Sequence, residues 1–215
     1  MKNEITVPKA VIKRLPKYYI YLENIAEKGI IRVSSKELSE ITGLTASQIR
    51  QDLNHFGGFG QQGYGYNVLE LKKELEKILG LNKSYDTIMI GYGNIGKAIY
   101  RYKGFKRSGL NIVAIFDKDE SLIGKEIDGI KIQNIDNLNN FLEKNKSVVA
   151  VMAIPENSAK EICDILVKND IKAIWNFASI DLKLPKSIVI ENVHLDESLY
   201  TLTYYINNIK DYKGR

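Results

Sequence analysis

The chain has 215 residues, of which 44% are hydrophobic and 27% are charged, and this length allows one large domain or two small ones. With 4 prolines and 16 glycines, the composition excludes collagen-like and long disordered proteins. The single cysteine, Cys163, cannot form an internal disulfide, which favours a reducing compartment. No apolar run reaches the roughly 20 residues that span a bilayer, and the first residues lack the apolar stretch of a signal peptide. We therefore expect a cytoplasmic protein without a membrane partner.

The hydrophobic pattern differs between the two halves of the chain. Residues 9–80 have the pattern of helices with one glycine-rich stretch, whereas residues 84–192 alternate β-branched runs with amphipathic helices. The expected strands are Thr87–Ile90, Ile112–Phe116, Val148–Ile154, Ile171–Trp175 and Ile188–Ile190. This alternation predicts an α/β fold with a parallel sheet covered on both faces. We place the domains at 1–80 and 84–192, followed by a helix and tail at 193–215.

Two helix starts and a turn lie close together in the first domain. Ser34 followed by Glu37 has the spacing of a capping box, and Thr45 followed by Gln48 repeats it. Gly43 lies between them and suits a helix end that needs positive φ. Two capped helices joined by a glycine turn predict a helix-turn-helix unit.

The second of these helices has two distinct faces. Its apolar positions, expected to point inward with Leu38 and Ile41, are Ala46, Ile49, Leu53 and Phe56. The opposite face carries Ser47, Arg50, Gln51 and Asn54, which are side chains that reach base edges in a major groove. An ordinary solvated helix is the alternative, but such a surface usually mixes lysine with glutamate. The helix is therefore a candidate for DNA recognition.

A glycine-aromatic segment, Phe56–Tyr66, follows the candidate recognition helix. Glycines between aromatic residues suit a β-hairpin that approaches a phosphate backbone or minor groove, as the wing of a winged helix does. A purely structural loop is the alternative. The net charge of +5 is mild support for a polyanionic partner. The predicted DNA-binding residues are Lys9, Arg14, Ser47, Gln48, Arg50, Gln51, Asn54, Phe59, Gln61 and Tyr64.

The second domain begins with a complete G-x-G-x-x-G motif at Gly91–Gly96, after a strand and before a helix. This context predicts a Rossmann-like fold whose helix start holds a pyrophosphate. The next strand ends in Asp117, whose carboxylate can accept hydrogen bonds from ribose hydroxyls and would repel a 2′-phosphate. We therefore predict binding of NAD (NADH and NAD⁺) rather than NADP(H).

The remaining sequence leaves little room for catalysis. The two histidines, His55 and His194, belong to no cluster of candidate catalytic or metal-binding residues. A bound cofactor without a substrate domain indicates a sensor rather than an enzyme. Two alternatives remain open: a small NAD-dependent oxidoreductase with an accessory helical domain, or a DNA-binding protein whose second domain binds coenzyme A. Asp117 disfavours coenzyme A, whose ribose carries a 3′-phosphate.

Several short segments spread along the chain resemble one known family. These segments are Val7–Ala10, Arg14–Pro16, Tyr18–Tyr19, Ser34–Ser35, Gln48–Leu53, Tyr64–Val68, Tyr102–Phe105, Phe116–Asp119, Ile154–Pro155, Ile174–Ala178 and Glu191–Val193. In this order they closely resemble the redox-sensing transcriptional repressors of the Rex family. The resemblance implies a homodimer with a winged-helix domain, a Rossmann NAD(H)-binding domain and a last helix exchanged between subunits.

The resemblance also implies a function and further site residues. Family members bind an inverted-repeat operator in double-stranded DNA and release it when NADH rises. Tyr102 matches a family tyrosine near the nicotinamide, and Pro155, Asn176 and Phe177 match pocket-lining positions. The full set of expected cofactor-binding residues is Gly91, Tyr92, Gly93, Asn94, Ile95, Gly96, Tyr102, Asp117, Lys118, Ile154, Pro155, Asn176 and Phe177.

Three positions depart from the family pattern. Gln51 replaces a common lysine, which predicts an operator shifted toward A·T pairs. Ile20 and His194 stand where some members have an arginine and an aspartate that form an interdomain ion pair. That ion pair must be absent or replaced here. We expect His194 to act as a hydrogen-bonding group that makes the response to NADH sensitive to pH.

Overall fold

The structure is a computed structural model that describes residues 7–61 and 64–209. For Gln61 and Lys106 it describes the backbone but not the side chain. The chain divides into two compact units, one ending at Asn82 and the other beginning at Lys83.

The first unit combines helices with a small sheet. Its helices are α1 (Lys9–Glu27), α2 (Ser35–Thr42), α3 (Ala46–Asn54) and α4 (Val68–Leu79). Its strands are β1 (Arg32–Val33), β2 (Gly60–Gln61) and β3 (Gly65–Asn67). The strands form an antiparallel sheet in the order β1-β3-β2. The helix-turn-helix α2–α3 followed by the β2–β3 hairpin is the winged-helix arrangement that the sequence predicts.

The caps of the helix-turn-helix follow the sequence signals. The Ser34 hydroxyl accepts a hydrogen bond from the Glu37 amide at 3.1 Å, and the Glu37 carboxylate accepts one from the Ser34 amide at 2.7 Å. Thr45 accepts one from the Gln48 amide at 3.1 Å, and Gly43 ends α2 with φ of 70°. The capping box at Ser34 and the turn at Gly43 are confirmed, whereas at Thr45 the hydroxyl half of the predicted box forms and the Gln48 side chain donates to Asp52. Together these features fix the two ends of α2 and the start of α3.

The core of the first unit forms where α1, α3 and α4 meet. Tyr18 and Leu22 of α1 are completely buried, as is Ile49 of α3. The expectation that Ile41 points inward is wrong, because its side chain is 58% exposed. Ile41 lies in the last turn of the short helix α2, where Leu38 alone is buried.

The second unit is a seven-stranded sheet with helices. Its strands are β4 (Tyr85–Ile90), β5 (Leu110–Asp117), β6 (Glu126–Ile127), β7 (Ile130–Asn134), β8 (Val149–Met152), β9 (Ala173–Asn176) and β10 (Val189–Asn192). Its helices are α5 (Asn94–Arg101), α6 (Lys103–Arg107), α7 (Leu138–Lys144), α8 (Glu156–Lys168) and α9 (Leu195–Asn207), with a short 3₁₀ turn at Ile135–Asn137. The strand order is β10-β9-β8-β4-β5-β7-β6.

The sheet topology fixes the position of a ligand crevice. The neighbours from β10 to β7 pair in parallel, and the edge strand β6 pairs antiparallel with β7. The chain order reverses at β4, which lies between β8 and β5. In open α/β sheets, ligands bind outside the carboxyl ends of the strands at such a switch point. The predicted parallel sheet is confirmed, although β6, β7 and α7 were missed.

The last helix differs from the others in having no buried residue. Leu195, Leu199, Leu202 and Ile206 of α9 are each 55–62% exposed. The predicted helical pattern is correct, and it leaves an apolar stripe that the described part of this chain does not cover.

Candidate functional site

A cavity of about 500 Å³ lies at the switch point of the sheet, outside the carboxyl ends of β4, β5 and β8. Six of the predicted cofactor residues line it: Gly91, Gly93, Asp117, Lys118, Ile154 and Pro155. The size suits one half of a dinucleotide or a drug-sized ligand. The glycine motif therefore lines a cavity at the switch point of the sheet, where the topology predicts a ligand site.

The glycines of the motif have two different roles. Gly91 has φ of 90°, and a Cβ on it would overlap the carbonyl oxygen of Ala153. A Cβ on Gly96 would overlap the carbonyl oxygen of Gly91. A Cβ on Gly93, in contrast, would meet no atom within 4 Å. Gly91 and Gly96 are thus required by the turn itself, and Gly93 leaves open space where a pyrophosphate would approach the backbone.

The start of α5 borders that open space. The first intrahelical bond runs from the amide of Lys97 to the carbonyl of Gly93 at 2.9 Å, so the amides of the first helical residues have no partner within the helix. Asn94 and Ile95 are exposed there, whereas Gly96 is buried. These amides and the helix dipole suit an anionic group such as a phosphate.

Asp117 orders the mouth of the cavity. Its carboxylate accepts one hydrogen bond from the backbone N–H of Tyr92 and another from that of Asp119 at 2.9 Å. A carboxylate has about four acceptor positions, so Asp117 can also accept from ribose hydroxyls. The side chain is half-buried, and Lys118 beside it is exposed. This negative charge opposes a phosphate on the same ribose.

Tyr92 contributes to the site through its backbone. Its ring is 3% exposed and packs edge-to-face on Tyr100, with the ring centroids 5.7 Å apart. Burial raises the pKa of Tyr92, and the pKa of Tyr100 rises to about 12 through burial and the nearby carboxylate of Asp128. Both phenols therefore stay neutral and serve as part of the core.

Asn176, a predicted cofactor residue, is held by hydrogen bonds within the chain. Its side chain is completely buried, and its Nδ2 group donates to the carbonyls of Ala178 and Ile180 and to the side chain of Asn192. Its oxygen accepts from the amide of Ala178 at 3.0 Å. These hydrogen bonds hold the segment after β9 in place.

Tyr102 and Phe177 lie among aromatic residues outside the main cavity. Tyr102 is 65% exposed at the break between α5 and α6, and it lines a separate cavity of about 340 Å³ together with Phe105 and Trp175. Trp175 stacks on Phe105 at 6.2 Å and meets Phe177 edge-on at 4.6 Å. This group offers an apolar surface suited to a neutral aromatic ring.

Sequence reasoning missed several residues that line the main cavity. They are Ile90, Phe116, Ile135, Asp136, Ala153, Ser158, Glu161, Ile162 and Ile165. Ile135 and Asp136 follow β7, a strand that was not predicted. Ser158 and Glu161 lie on α8, where helical periodicity from Pro155 could have placed them on the face toward the cavity.

The first unit presents the predicted reading face of α3 to solvent. Ser47, Arg50, Gln51 and Asn54 are all exposed. Arg50 donates a hydrogen bond from Nη1 to the Ser35 hydroxyl at 2.9 Å. A recognition helix likewise exposes its polar face to the DNA. On the exposed face of α3 the cation is Arg50.

Two predicted DNA-binding residues, Arg14 and Gln48, contact Asp52, which is completely buried. Arg14 donates to both carboxylate oxygens, from Nε at 2.6 Å and Nη2 at 2.7 Å. Gln48 donates from Nε2 at 3.0 Å, and Tyr18 donates at 2.6 Å. The structure thus gives Arg14 a role in joining α1 to α3 that the sequence did not reveal.

The wing contributes Tyr64, which is 68% exposed. The Arg32 guanidinium donates to the Tyr64 carbonyl at 3.2 Å and lies 5.9 Å from the centre of its ring. Phe59 is half-buried against the core of the unit, and Lys9 is exposed. The side chain of Gln61 lies outside the described residues. Arg32 is a cation at the wing that sequence reasoning did not select.

His194 has an acidic neighbour in the second unit. Its Nε2 lies 3.3 Å from Oδ1 of Asp181, and Asn192 donates to the same oxygen at 3.3 Å. Asp181 thus supplies a negative charge beside His194, at the residue that precedes α9.

In the described part of the chain, no side-chain group suits a metal ion and no helix suits a membrane span. Among residues 7–61 and 64–209, no group of three histidine, cysteine or acidic side chains could hold a metal ion. None of the helices described has the length and apolar character of a membrane span.

Two protein-family models match the chain, one for each unit. The first is described as the N-terminus of a putative DNA-binding protein and matches residues 6–54. The second is described as a CoA binding domain and matches residues 82–180.

Curated relatives match nearly the whole chain. The redox-sensing transcriptional repressor Rex of Clostridium acetobutylicum is 50% identical over 209 residues, which cover 97% of this chain and 98% of the relative. The chain belongs to the Rex family. The Rex protein of Clostridium botulinum is 53% identical over 207 residues, covering 96% and 99%. These Rex relatives are named repressors rather than enzymes, so the predicted family is confirmed and the oxidoreductase alternative is not supported.

Solved Rex structures share the fold. The crystal structure of RSP, a Rex-family repressor, in complex with β-NAD⁺ and operator DNA is similar to this chain with a TM-score of 0.89. The two are 50% identical in sequence, and the match covers 96% of this chain and 95% of that chain. RSP in complex with β-NADH matches with a TM-score of 0.88 at 47% identity, covering 96% and 97%. The predicted combination of a DNA-binding unit and a Rossmann-like unit is confirmed.

Proposed function

We propose that this chain is a transcriptional repressor that senses the NADH/NAD⁺ ratio. It binds an inverted-repeat operator as a homodimer in the cytoplasm or nucleoid, and NADH binding releases the DNA. Its cofactor is NAD in both oxidation states, and its partners are operator DNA and a second copy of the chain.

One observation carries this proposal: the same chain holds both a dinucleotide cradle and an exposed reading helix. The open space at Gly93, the amides at the start of α5 and the carboxylate of Asp117 fit a pyrophosphate and a ribose. The exposed face of α3, with Arg50 and Gln51, fits a major groove.

Regulation requires that each ligand prefers a different state of the dimer. A coupling of about 1–3 kcal/mol between the two sites changes affinity about 5- to 150-fold. NAD⁺ differs from NADH by the positive charge on its nicotinamide ring. The aromatic group of Tyr102, Trp175 and Phe177 favours the neutral ring, because an apolar surface offers a charged ring little solvation.

The apolar stripe of α9 supports the homodimer. Leu199 and Leu202 are each 55% exposed on a helix with no buried residue, and such a stripe is stable only when another surface covers it. A second copy of the chain is the simplest cover. The two recognition helices of the dimer must lie about 34–36 Å apart to reach successive major grooves.

The binding of each cofactor can be tested through the protein's single tryptophan. Trp175 contacts Phe105 and Phe177 near the surface attributed to the nicotinamide. Its fluorescence should respond to NADH at lower concentrations than to NADPH or coenzyme A. A stronger response to coenzyme A would instead favour the ligand named by the matching domain family.

DNA release can be tested by gel shift with a palindromic, A·T-rich duplex. We expect a shifted band in the absence of cofactor and in NAD⁺, and its loss as NADH is added. Retention of the shifted band at saturating NADH would contradict the proposed function.

A further inference from the structure

The buried carboxylate of Asp52 lies on the face of α3 that packs toward α1. It accepts hydrogen bonds from Arg14, Tyr18 and Gln48 at distances of 2.6–3.0 Å. Two of these donors belong to α1, and Gln48 belongs to the first turn of α3. Asp52 therefore fixes both how α3 sits on α1 and how one side chain of α3 is turned.

The charge of Asp52 decides the orientation of the Gln48 amide. Burial alone raises the pKa of Asp52, but the hydrogen bonds from Arg14, Tyr18 and Gln48 outweigh it, so the pKa lies below its ordinary value. An ionised carboxylate only accepts hydrogen bonds. Gln48 must therefore turn its NH₂ group toward Asp52, and its carbonyl oxygen points away from the carboxylate.

Gln48 then has one carbonyl oxygen and one remaining N–H for other partners. Gln48 is partly exposed in the first turn of α3, and recognition helices contact base edges with their N-terminal residues. In the major groove, adenine offers an N6 donor beside an N7 acceptor, whereas guanine offers two acceptors. An amide with one acceptor and one donor pairs with both groups of adenine but only one of guanine.

We propose that Asp52 is a positioning residue that turns Gln48 into an adenine-selective reader of the major groove. This proposal rests on the proposed function, because it requires that α3 enters operator DNA. It differs from the expectation for Gln51, which lies on the exposed face of the helix and makes no contact with Asp52 among the described hydrogen bonds.

The test selects bound sequences from palindromic duplexes with randomised half-sites, using wild type, Gln48→Ala and Gln51→Ala. We expect Gln48→Ala to lose an adenine preference at one position of each half-site by about 5- to 100-fold. The matched variant Gln51→Ala should affect a different position. A full adenine preference at every position in Gln48→Ala would overturn the proposal. Failure of the wild type to select any sequence would instead contradict the proposed function.

A second variant tests the positioning role. Asp52→Asn presents an amide that can donate as well as accept, so the Gln48 amide can turn over. We expect the same position to lose its adenine preference in Asp52→Asn, with no further loss at that position when Gln48→Ala is added. Circular dichroism and binding to unrelated DNA identify a misfolded Asp52→Asn protein. If it misfolds, Asp52→Ser decides, because a hydroxyl leaves the Gln48 amide free to turn over: a retained adenine preference overturns the positioning role.

Discussion

Gly96 lies against the carbonyl oxygen of Gly91, so closely that its α-carbon has no room for a side chain. This contact joins the start of α5 to the end of β4 and shapes the turn between them. Gly93, two residues after Gly91, faces open space instead. The motif therefore contains two glycines that the turn requires and one that leaves open space beside the backbone, and substitution can separate the two.

Gly93→Ala should keep the fold and lose the cofactor. We expect a free energy of unfolding within about 0.5 kcal/mol of wild type and an NADH affinity lower by about tenfold or more, because the methyl group occupies space that the pyrophosphate needs. Gly96→Ala is the matched variant, and it should destabilise the protein by about 1–3 kcal/mol through overpacking. Denaturant unfolding and Trp175 fluorescence measure the two effects. Equal loss of stability in both variants would show that Gly93 is structural.

Asp117→Ala should narrow the preference for NADH over NADPH. The substitution removes a negative charge that repels a 2′-phosphate and an acceptor for ribose hydroxyls. It also removes the acceptor of the Tyr92 amide. We expect the NADH affinity to fall, because the ribose contact is lost. The NADPH affinity should fall less or rise, because the repulsion of its 2′-phosphate is lost as well. Competition titration measures both constants. Asp119→Ala, in the exposed loop directly after β5, is the control, and an equal change in selectivity there would argue against a specific role for Asp117.

Leu202→Glu should convert the dimer into a monomer. A carboxylate in the middle of the apolar stripe of α9 cannot be buried in a subunit interface without a large desolvation cost. We expect light scattering to report a dimer of wild type and a monomer of the variant at micromolar concentration. Asn207→Glu adds the same charge at the end of the helix, away from the stripe, and should stay dimeric. A dimeric Leu202→Glu protein would place the interface elsewhere.

The first unit should lose stability in acid because of Asp52. Its pKa is lowered in the folded state, so its stabilising effect is complete above the ordinary carboxyl pKa and disappears as the pH falls through the folded-state value. Denaturant unfolding between pH 7 and pH 3 should show this loss in wild type and a weaker one in Asp52→Asn. The variant should also be less stable at pH 7 by about 3 kcal/mol, because Arg14 loses its partner. Identical pH profiles would assign the acid sensitivity to other groups.

Cys163 should take no part in redox sensing. Burial, with a smaller effect of the Asp164 charge, raises the pKa of the thiol to about 11, and its side chain lies in the core of the second unit. The reactive thiolate is therefore scarce at neutral pH. Iodoacetamide should modify Cys163 only as the protein unfolds, and Cys163→Ala should keep its response to NADH. Loss of that response in a folded Cys163→Ala protein would reveal a thiol-based mechanism.

Local signals were the most reliable guide to the fold. The caps at Ser34 and Thr45, the turn at Gly43 and the glycine motif at Gly91–Gly96 depend on backbone amides and φ angles within a few residues. Such features depend on residues that are neighbours in the sequence, and the structure shows them where they were predicted. The β-branched runs of the buried strands were also recognisable, because both faces of a parallel sheet are covered.

Contacts between distant residues could not be predicted in the same way. In the sequence, Arg14 has the character of an exposed cation. In the structure it is hydrogen-bonded to Asp52, which lies 38 residues further along the chain. The hydrogen bonds by which the Asn176 amide holds the segment after β9 could not be read from the sequence either. Asp136 lines the cavity but was not predicted to do so. It follows β7, a short strand next to the edge of the sheet whose alternating pattern was missed. In each case the position or partner of a polar side chain depends on tertiary structure.

The most direct test of the account is fluorescence anisotropy of a labelled operator bound by the full-length protein, titrated with NADH and, separately, with NAD⁺. We predict that NADH lowers the affinity for operator by at least about fivefold and that the operator lowers the affinity for NADH by the same factor. NAD⁺ should have neither effect. Simultaneous binding of NADH and operator without mutual weakening would contradict this prediction.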